Sequence, residues 1–499
     1  MVIEVTQPTT MRRPDLPSRI PNWIAGKPVP PRTDNWVEKR NPATGEFVSH
    51  LARSDARDVA DAVTAARAAQ PRWAATPPVQ RGEILTAIAN TMHRRRVDIA
   101  GTVALETGKS MKDALAETGG AILQARFMAG EGQRLYGRTT TSAADKYAMT
   151  IRQPIGVAGL IIAANTPIAN VAWKVFPALI CGNAAVLKAP EDAPATAFVF
   201  AEIAEEAGLP AGALNVVQGL GPEAGEPIVA HPDVEVVSFT GSTAVGRRIA
   251  EIAGRRLARV SLELGGKNPL LVCDDADLDN AVKWTCLSAF SNAGQRCASA
   301  SRIIVFDDIY DVFLEKLLKA TAAQRVGPAD DDDFGPVINE RQLNRMLAAV
   351  EKAKSAGARV LAGGERLLGP KHESGYYVAP TVIDRIDPDD EISTTELFGP
   401  IACLYRCADY QEALALANRS PYGLTACIHT RNAHRAMHFV QSVAAGVAVV
   451  NGGTFGSEPH MPFGGVKQSG NGTREPGTEA LDVYSELKDV YWLVDRHQT

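Results

Sequence analysis

Cys297 lies in Gly294-Gln295-Arg296-Cys297-Ala298-Ser299, a segment of small and polar residues that leaves a thiol approachable. A thiolate there is a nucleophile, whereas a lone cysteine elsewhere is usually a small buried hydrophobe. Arg296 beside it favours the thiolate if its guanidinium stays close, binds a ligand carboxylate bidentately, or pairs elsewhere on the protein. Glu263 closes the apolar strand around Val260–Leu262 just before Leu264-Gly265-Gly266. A carboxylate in that position is costly unless paired, so it is either an ion-pair partner, with Lys267 the nearest candidate, or a general base tuned by an apolar crevice. Asn165, which follows the apolar run Ile155–Ala164, either caps the helix after it or donates an N–H to a developing oxyanion.

Phosphate and ribose chemistry have candidates too. Ser238-Phe239-Thr240-Gly241-Ser242-Thr243-Ala244-Val245-Gly246 reads as a strand, a glycine turn and a helix start, where free N–H groups attract phosphate or a plain capped turn forms. Lys188 and Glu191 stand three apart after another strand, and a carboxylate there accepts hydrogen bonds from ribose hydroxyls while repelling an added 2′-phosphate. Gly219-Leu220-Gly221 with Gly225 fails as a dinucleotide fingerprint: the third glycine comes one residue late and no acidic residue follows at the expected distance.

These residues sit at the ends of short apolar runs, which are the elements that must position them. IGVAGLIIAA, AAVLK, LNVV, VEVVSF, VSLEL and PLLVC alternate with helix-length segments between 155 and 273, the pattern of a parallel sheet covered on both faces. Polar groups collect at their carboxyl ends, where open α/β sheets bind ligands. A second α/β pattern starts near Asn268 and includes Arg302–Phe306, Ala358–Ala362, Ile401–Tyr405, Leu424–His429 and Gly446–Val450, with helices at Tyr310–Ala320 and Tyr410–Ala417. Val59, Ala62, Val63 and Ala66, and again Leu343, Met346, Leu347 and Val350, mark amphipathic cover helices. Leu481–Val494 alternates with a period near two, and Ser142–Pro154 is strand-like. These strands either pair into an arm on a neighbouring subunit or lie at edges of the same chain's sheets.

The 499 residues, 45% hydrophobic and 22% charged with net charge -5, describe a folded protein of two to four domains. Without a basic block there is no electrostatic footprint for nucleic acid or anionic membrane, and no segment approaches a spanning helix. The seven scattered cysteines predict free thiols in a reducing, cytoplasmic compartment. Residues 1–19, rich in Pro, Thr and charge, are expected to form a disordered leader. No metal site is expected: Asp330–Asp333 lacks calcium-loop spacing and reads as a solvated loop.

Taken together, the segments resemble the aldehyde dehydrogenase superfamily from Trp23 to Tyr491. The matching motifs are Leu262-Glu263-Leu264-Gly265-Gly266-Lys267, Gly294-Gln295-Arg296-Cys297, Phe239-Thr240-Gly241-Ser242, Glu396-Leu397-Phe398-Gly399-Pro400 and Pro462-Phe463-Gly464-Gly465-Val466-Lys467-Gln468-Ser469-Gly470. The resemblance implies an α/β fold with a Rossmann-type cofactor domain (20–132 and 155–264), a second α/β catalytic domain (265–470) and a small β oligomerisation arm (133–154 and 471–499). It implies Cys297 as nucleophile, Glu263 as general base and Asn165 as oxyanion donor. Lys188 and Glu191 match adenosine-ribose contacts, Gly241 and Ser242 the pyrophosphate turn, and Glu396 and Phe398 the nicotinamide-ribose side. Ile162, Val245 and Leu264 complete the implied cofactor contacts.

The implied reaction is oxidation of an aldehyde to a carboxylic acid through a cysteine thiohemiacetal and thioester. NAD is the implied cofactor, with NADP open, and the implied assembly is a homodimer or homotetramer. One departure stands out: the family's usual Pro-Trp-Asn-Phe-Pro is here Ala163-Ala164-Asn165-Thr166-Pro167, which reshapes the floor of the site. Thr454–Met461, Ser469–Glu475 and Ala480–Lys488 are similar to branches acting on semialdehydes of sugar-acid breakdown, such as 2-oxoglutarate semialdehyde. The rival readings are a cofactor-independent thiol hydrolase or acyltransferase, which needs a histidine partner for Cys297, and a catalytically retired binding protein.

Overall fold

The computed structural model describes residues 14–495. The strands that the apolar runs predict form first: β1 (Val157–Ile161), β2 (Ala184–Lys188), β3 (Leu214–Val217), β4 (Val236–Thr240) and β5 (Arg259–Glu263). They are parallel and ordered β5-β4-β1-β2-β3, and an antiparallel hairpin of Asn22–Ile24 and Lys27–Val29 extends the β3 edge. Every residue of β1, β2 and β3 is buried, because helices cover both faces. Pro167–Ile180 and Pro194–Glu206 pack into a core with Leu160 and Leu187, while Ala56–Ala75 covers the opposite face through Val59, Ala62, Val63 and Ala66. Asp55 starts that last helix with a capping box shared with Asp58.

Strand order reverses between β1 and β4, the switch point of a doubly wound sheet, so their two connections leave in opposite directions and open a crevice. Register aligns the rim of that crevice: Ile161 pairs with both Lys188 and Phe239, and Thr240 pairs with Glu263.

Only four residues, Leu264–Lys267, separate β5 from β6 (Asn268–Val272), which belongs to the second sheet. The run Pro269–Cys273, which reads in sequence as a continuation of the first set, is therefore a central strand of the other sheet. That sheet also contains β7 (Ala300–Phe306), β8 (Thr381–Asp384), β9 (Ile401–Cys407), β10 (Thr425–His429) and β11 (Val447–Val450), in the order β8-β9-β7-β6-β10-β11, with Arg359–Ala362 antiparallel at the β8 edge. Its core is built on Leu270, Ile303, Ile304, Ile383, Leu404 and Ile428.

A third, three-stranded sheet stands apart from both. Ser485–Leu493 pairs along its whole length with Lys146–Pro154, which pairs in turn with Thr139–Ala143. The strand-like stretch Ser142–Pro154 thus overlaps two strands joined at a tight turn. The tail does not begin as a strand: Ala480–Tyr484 is a short helix whose Leu481 and Val483 are buried in the first core. Two buried positions spaced by two mimic strand alternation there. Of the expected leader, residues 1–13 lie outside the described residues. Its remainder is held to the body, with Leu16 packed on the core and Arg19 paired with His50.

Each carboxylate of Asp330–Asp333 has a protein partner: Asp330 accepts the Lys112 amide, Asp331 pairs with Arg325, and Asp332 and Asp333 accept backbone N–H groups. Among the described residues no cluster of His, Cys, Asp and Glu could hold a metal ion, and no helix is long and apolar enough to cross a membrane.

Candidate active site

A cavity of about 230 Å³ opens at the switch point, between the carboxyl ends of the first sheet and the amino ends of the second. Asn165, Gly241, Ser242, Glu263, Leu264, Cys297, Glu396 and Phe398 all line it. Four further expected residues lie outside that lining. Ile162 is buried just past the end of β1, Lys188 and Glu191 pair at 2.7 Å past the end of β2, and Val245 sits half-exposed in the first turn of helix Thr243–Gly254.

The short crossing from β5 to β6 explains how a base and a nucleophile distant in sequence meet. Asn268, the first residue of β6, donates its Nδ2 to the carbonyl of Cys297 at 2.8 Å and to that of Ser299 at 2.9 Å. It thereby ties the thiol-bearing loop to the strand that directly continues from Glu263. The loop's other anchor is Gln295, whose Oε1 accepts the Ile338 amide at 2.8 Å and whose Nε2 donates to Pro336 and Asn292 carbonyls. The chain reaches it through a turn in which Asn292, Ala293 and Gly294 all have positive φ. A Cβ on Gly294 would lie 2.1 Å from the Gly399 carbonyl oxygen, so only glycine fits.

Asn165 does not cap the following helix; Thr166 occupies that position. Its Nδ2 donates to the Gln295 carbonyl at 2.9 Å, which leaves the second amide hydrogen for the cavity. Its own backbone carbonyl is held by Lys109 Nζ at 2.8 Å, and Lys109 pairs with Glu117 at 2.7 Å. Glu117 in turn accepts the Ile168 amide at the amino end of helix Pro167–Ile180, where a carboxylate suits the helix dipole. Neither Lys109, in the short connector before helix Met111–Gly130, nor Glu117, within that helix, carries a sequence signal for this role.

Glu263 is 4% exposed, and neither of its carboxyl oxygens has a hydrogen-bond partner. Of the two alternatives read from the sequence, the ion pair with Lys267 is not made. Burial, with the nearby Glu475 carboxylate adding to it, pushes the Glu263 carboxyl well above the usual range. Burial likewise pushes the Cys297 thiol up to about 12, with Glu396 and Glu263 adding to the effect. Glu396 accepts the Gly266 amide at 3.1 Å and is raised by burial to about 7. A Cβ on Gly265 would lie 2.0 Å from Glu396 Oε2, so a larger residue there would displace that carboxyl.

Beneath Glu263 runs a buried polar cluster that sequence reasoning missed. Lys174 Nζ donates to Ser238 Oγ at 2.6 Å and to Glu475 Oε2 at 2.8 Å, and the other oxygen of Glu475 accepts from Ser238, Ser261 and Tyr484. Gln342 and Arg345 also line the cavity, from helix Glu340–Ser355. Gln342 borders the apolar stripe of Leu343, Met346 and Val350, one turn from Met346, and Arg345 lies on the polar side. Ala163 and Thr166, the departures from the usual stretch, line the cavity as well.

This arrangement offers a thiol, a buried carboxyl and an amide donor around one space, above a helix whose first-turn N–H groups lack intrahelical acceptors. No histidine lines the cavity among the described residues, so a thiol hydrolase has no base of that kind here. Over residues 29–490 the sequence matches the aldehyde dehydrogenase family. The chain belongs to that family. As an aldehyde dehydrogenase it is an oxidoreductase acting on the aldehyde group. It is similar to the alpha-ketoglutaric semialdehyde dehydrogenase of Bacillus subtilis (strain 168), at 39% identity over 475 residues that cover 94% of this chain and 97% of that one. The alpha-ketoglutarate semialdehyde dehydrogenase of Haloferax volcanii is 39% identical over 473 residues, 94% of this chain and 98% of the other. The NAD-dependent aldehyde dehydrogenase of Sinorhizobium meliloti superimposes with a TM-score of 0.93 at 34% identity, over 97% of this chain and 96% of that one. The two α/β sheets and the small arm are thus the aldehyde dehydrogenase fold.

Proposed function

We propose that the protein uses NAD to oxidise a semialdehyde, 2-oxoglutarate semialdehyde or a close analogue, to the carboxylic acid. The observation that carries this reading is the convergence of Cys297, Glu263 and Asn165 on one cavity at the switch point. The names of the Bacillus and Haloferax relatives support the substrate.

Cys297, as thiolate, attacks the aldehyde carbon to give a thiohemiacetal. Asn165 Nδ2 and the Cys297 backbone N–H hold the developing oxyanion. NAD, when bound, supplies the hydride acceptor that turns the thiohemiacetal into a thioester. Glu263 then takes a proton from water, which attacks the thioester, releases the acid and returns the thiol. An unpartnered carboxyl with a raised pKa suits a base that must shuttle protons rather than stand in an ion pair.

The cofactor fits residues that are in place. Gly241, Ser242 and Val245 flank the open N–H groups of helix Thr243–Gly254, suited to a pyrophosphate. Glu191, fixed by Lys188, suits the adenosine ribose and Ile162 lies just past the end of β1; Leu264, Glu396 and Phe398, which line the cavity with Cys297, suit the nicotinamide side. Glu191 disfavours a 2′-phosphate, which makes NADP the poorer cofactor. Ile151, Leu487, Tyr491, Trp492 and Leu493, exposed on the three-stranded sheet, support an oligomerising arm and a homodimer or homotetramer. Seven unpaired cysteines support a reducing, cytoplasmic setting.

The test is rapid-mixing kinetics with NADH fluorescence. Cys297→Ala forms no NADH, whereas Glu263→Gln gives a burst near one equivalent followed by a steady state slowed about 100-fold. Full steady-state turnover in Glu263→Gln would overturn the assignment of the base.

A further inference from the structure

The Arg296 guanidinium is one charge the fold leaves without a partner. The side chain is largely withdrawn from solvent, and its Nε is buried with nothing to donate to. Among the described residues no carboxylate lies within ion-pair distance of it. The acidic groups that influence it most, Asp113 and Glu117, act only at longer range, and Glu117 is already committed to Lys109 and to a helix terminus. What Arg296 does touch is the face of Phe455, with Cζ 5.0 Å from the ring centre. Phe455 packs on the same small apolar cluster as Cys297 and Trp173, around Ala298, Leu424 and Phe463. Trp173, Phe463 and Cys297 line the reaction cavity. The guanidinium is therefore held by an aromatic plate on the cluster that borders the cavity, outside the cavity lining itself, with its Nε free to donate.

Withdrawing a cation from water without an anion is unfavourable, and an arginine braced on a ring is pre-organised to take a carboxylate through two parallel hydrogen bonds. In an extended five-carbon oxo acid the carboxylate carbon lies about 5 Å from the aldehyde carbon. Arg296 directly precedes Cys297 in the chain, and its guanidinium lies close enough to the thiol for the two to influence each other electrostatically. We infer that Arg296 is a specificity-determining residue that binds the carboxylate at the far end of the substrate while Cys297 meets its aldehyde end. This inference rests on the semialdehyde reading above, and it identifies the group that makes such a substrate preferred.

The experiment compares kcat/KM for 2-oxoglutarate semialdehyde and for pentanal, a neutral aldehyde of equal length, in the wild type, Arg296→Leu and Arg296→Lys. The expected result is that the ratio of the two falls on the order of 100-fold in Arg296→Leu, mainly through KM, and only partly in Arg296→Lys, which keeps the charge but not the fork. A wild-type preference that persists in Arg296→Leu would overturn the role of Arg296 and leave the substrate reading intact. Absence of any wild-type preference for the carboxylated aldehyde would overturn that reading, and this inference with it. A measurement on the wild type alone guards against a misfolded variant: glutarate should slow alkylation of Cys297 by iodoacetamide, followed by mass spectrometry, while pentane-1,5-diol should not. Equal alkylation with the two would also overturn the inference.

Discussion

At the scale of single residues, the resting charge state of Cys297 is the first thing the surroundings decide. Two carboxyls and an apolar wall hold the thiol neutral, with its pKa pushed up to about 12. In the absence of cofactor, the rate of Cys297 alkylation by iodoacetamide should rise steadily with pH through the neutral and mildly alkaline range without levelling off. A plateau near neutrality would show that the thiolate is already stabilised in the resting protein. The side chains able to do this chemistry were legible in the sequence because type and spacing define them: a glutamate closing an apolar strand, a cysteine among small residues, an asparagine past a strand end. Their partners were not. Nothing in the one-dimensional string says that Lys109 holds the backbone of Asn165, or that Lys174 and Glu475 underlie Glu263, because those contacts exist only once the helices are packed.

At the scale of elements, glycine positions separate close approach from mere permissiveness. Gly294 carries a φ of +67 and faces backbone at 2.1 Å, so Gly294→Ala should destabilise the protein by about 1–3 kcal/mol and depress turnover by displacing the Cys297 loop. Gly119 lies inside helix Met111–Gly130 with nothing within 4 Å of an added Cβ. Gly119→Ala should therefore be neutral or stabilising by up to about 1 kcal/mol. Thermal melts of the two variants check the contrast, and equal melting temperatures would refute it. Parallel strands such as β1 and β2 were readable because burial on both faces leaves a continuous apolar run. The Asn22–Ile24 strand and the turn at Asn292 were not, since three residues carry no periodicity and left-handed backbone at Asn292 and Ala293 has no glycine to announce it. Tail residues 480–484 misled for the converse reason: one helical turn packed through alternate residues has the same signature as the start of a strand.

At the scale of the whole molecule, the buried Lys174–Glu475 pair joins a helix of the first layer to the returning tail, with side chains 1% and 0% exposed. Breaking it by Lys174→Met or Glu475→Gln leaves the other group buried alone and should cost about 3–5 kcal/mol, visible as a lowered melting temperature. Their effects on catalysis should diverge. Glu475 raises the Glu263 pKa and Lys174 lowers it, so the Glu263-dependent limb of the pH–rate profile moves to lower pH in Glu475→Gln and to higher pH in Lys174→Met. Shifts in the same direction would contradict the electrostatic account. Two successive α/β patterns were legible in the sequence and the family resemblance implied a separate arm, but the wiring between them was not legible, because partners 301 residues apart leave no local trace.

That separation bears on biosynthesis. A ribosome releases the amino-terminal half, with all five parallel strands of its sheet, long before it has made Glu475. Until then Lys174 lacks its counter-charge, so burying its ammonium in the emerging half is unfavourable. A chain broken off before residue 475 would keep its cysteine nucleophile but lack the carboxylate that gathers Lys174, Ser238 and Ser261 beneath the base.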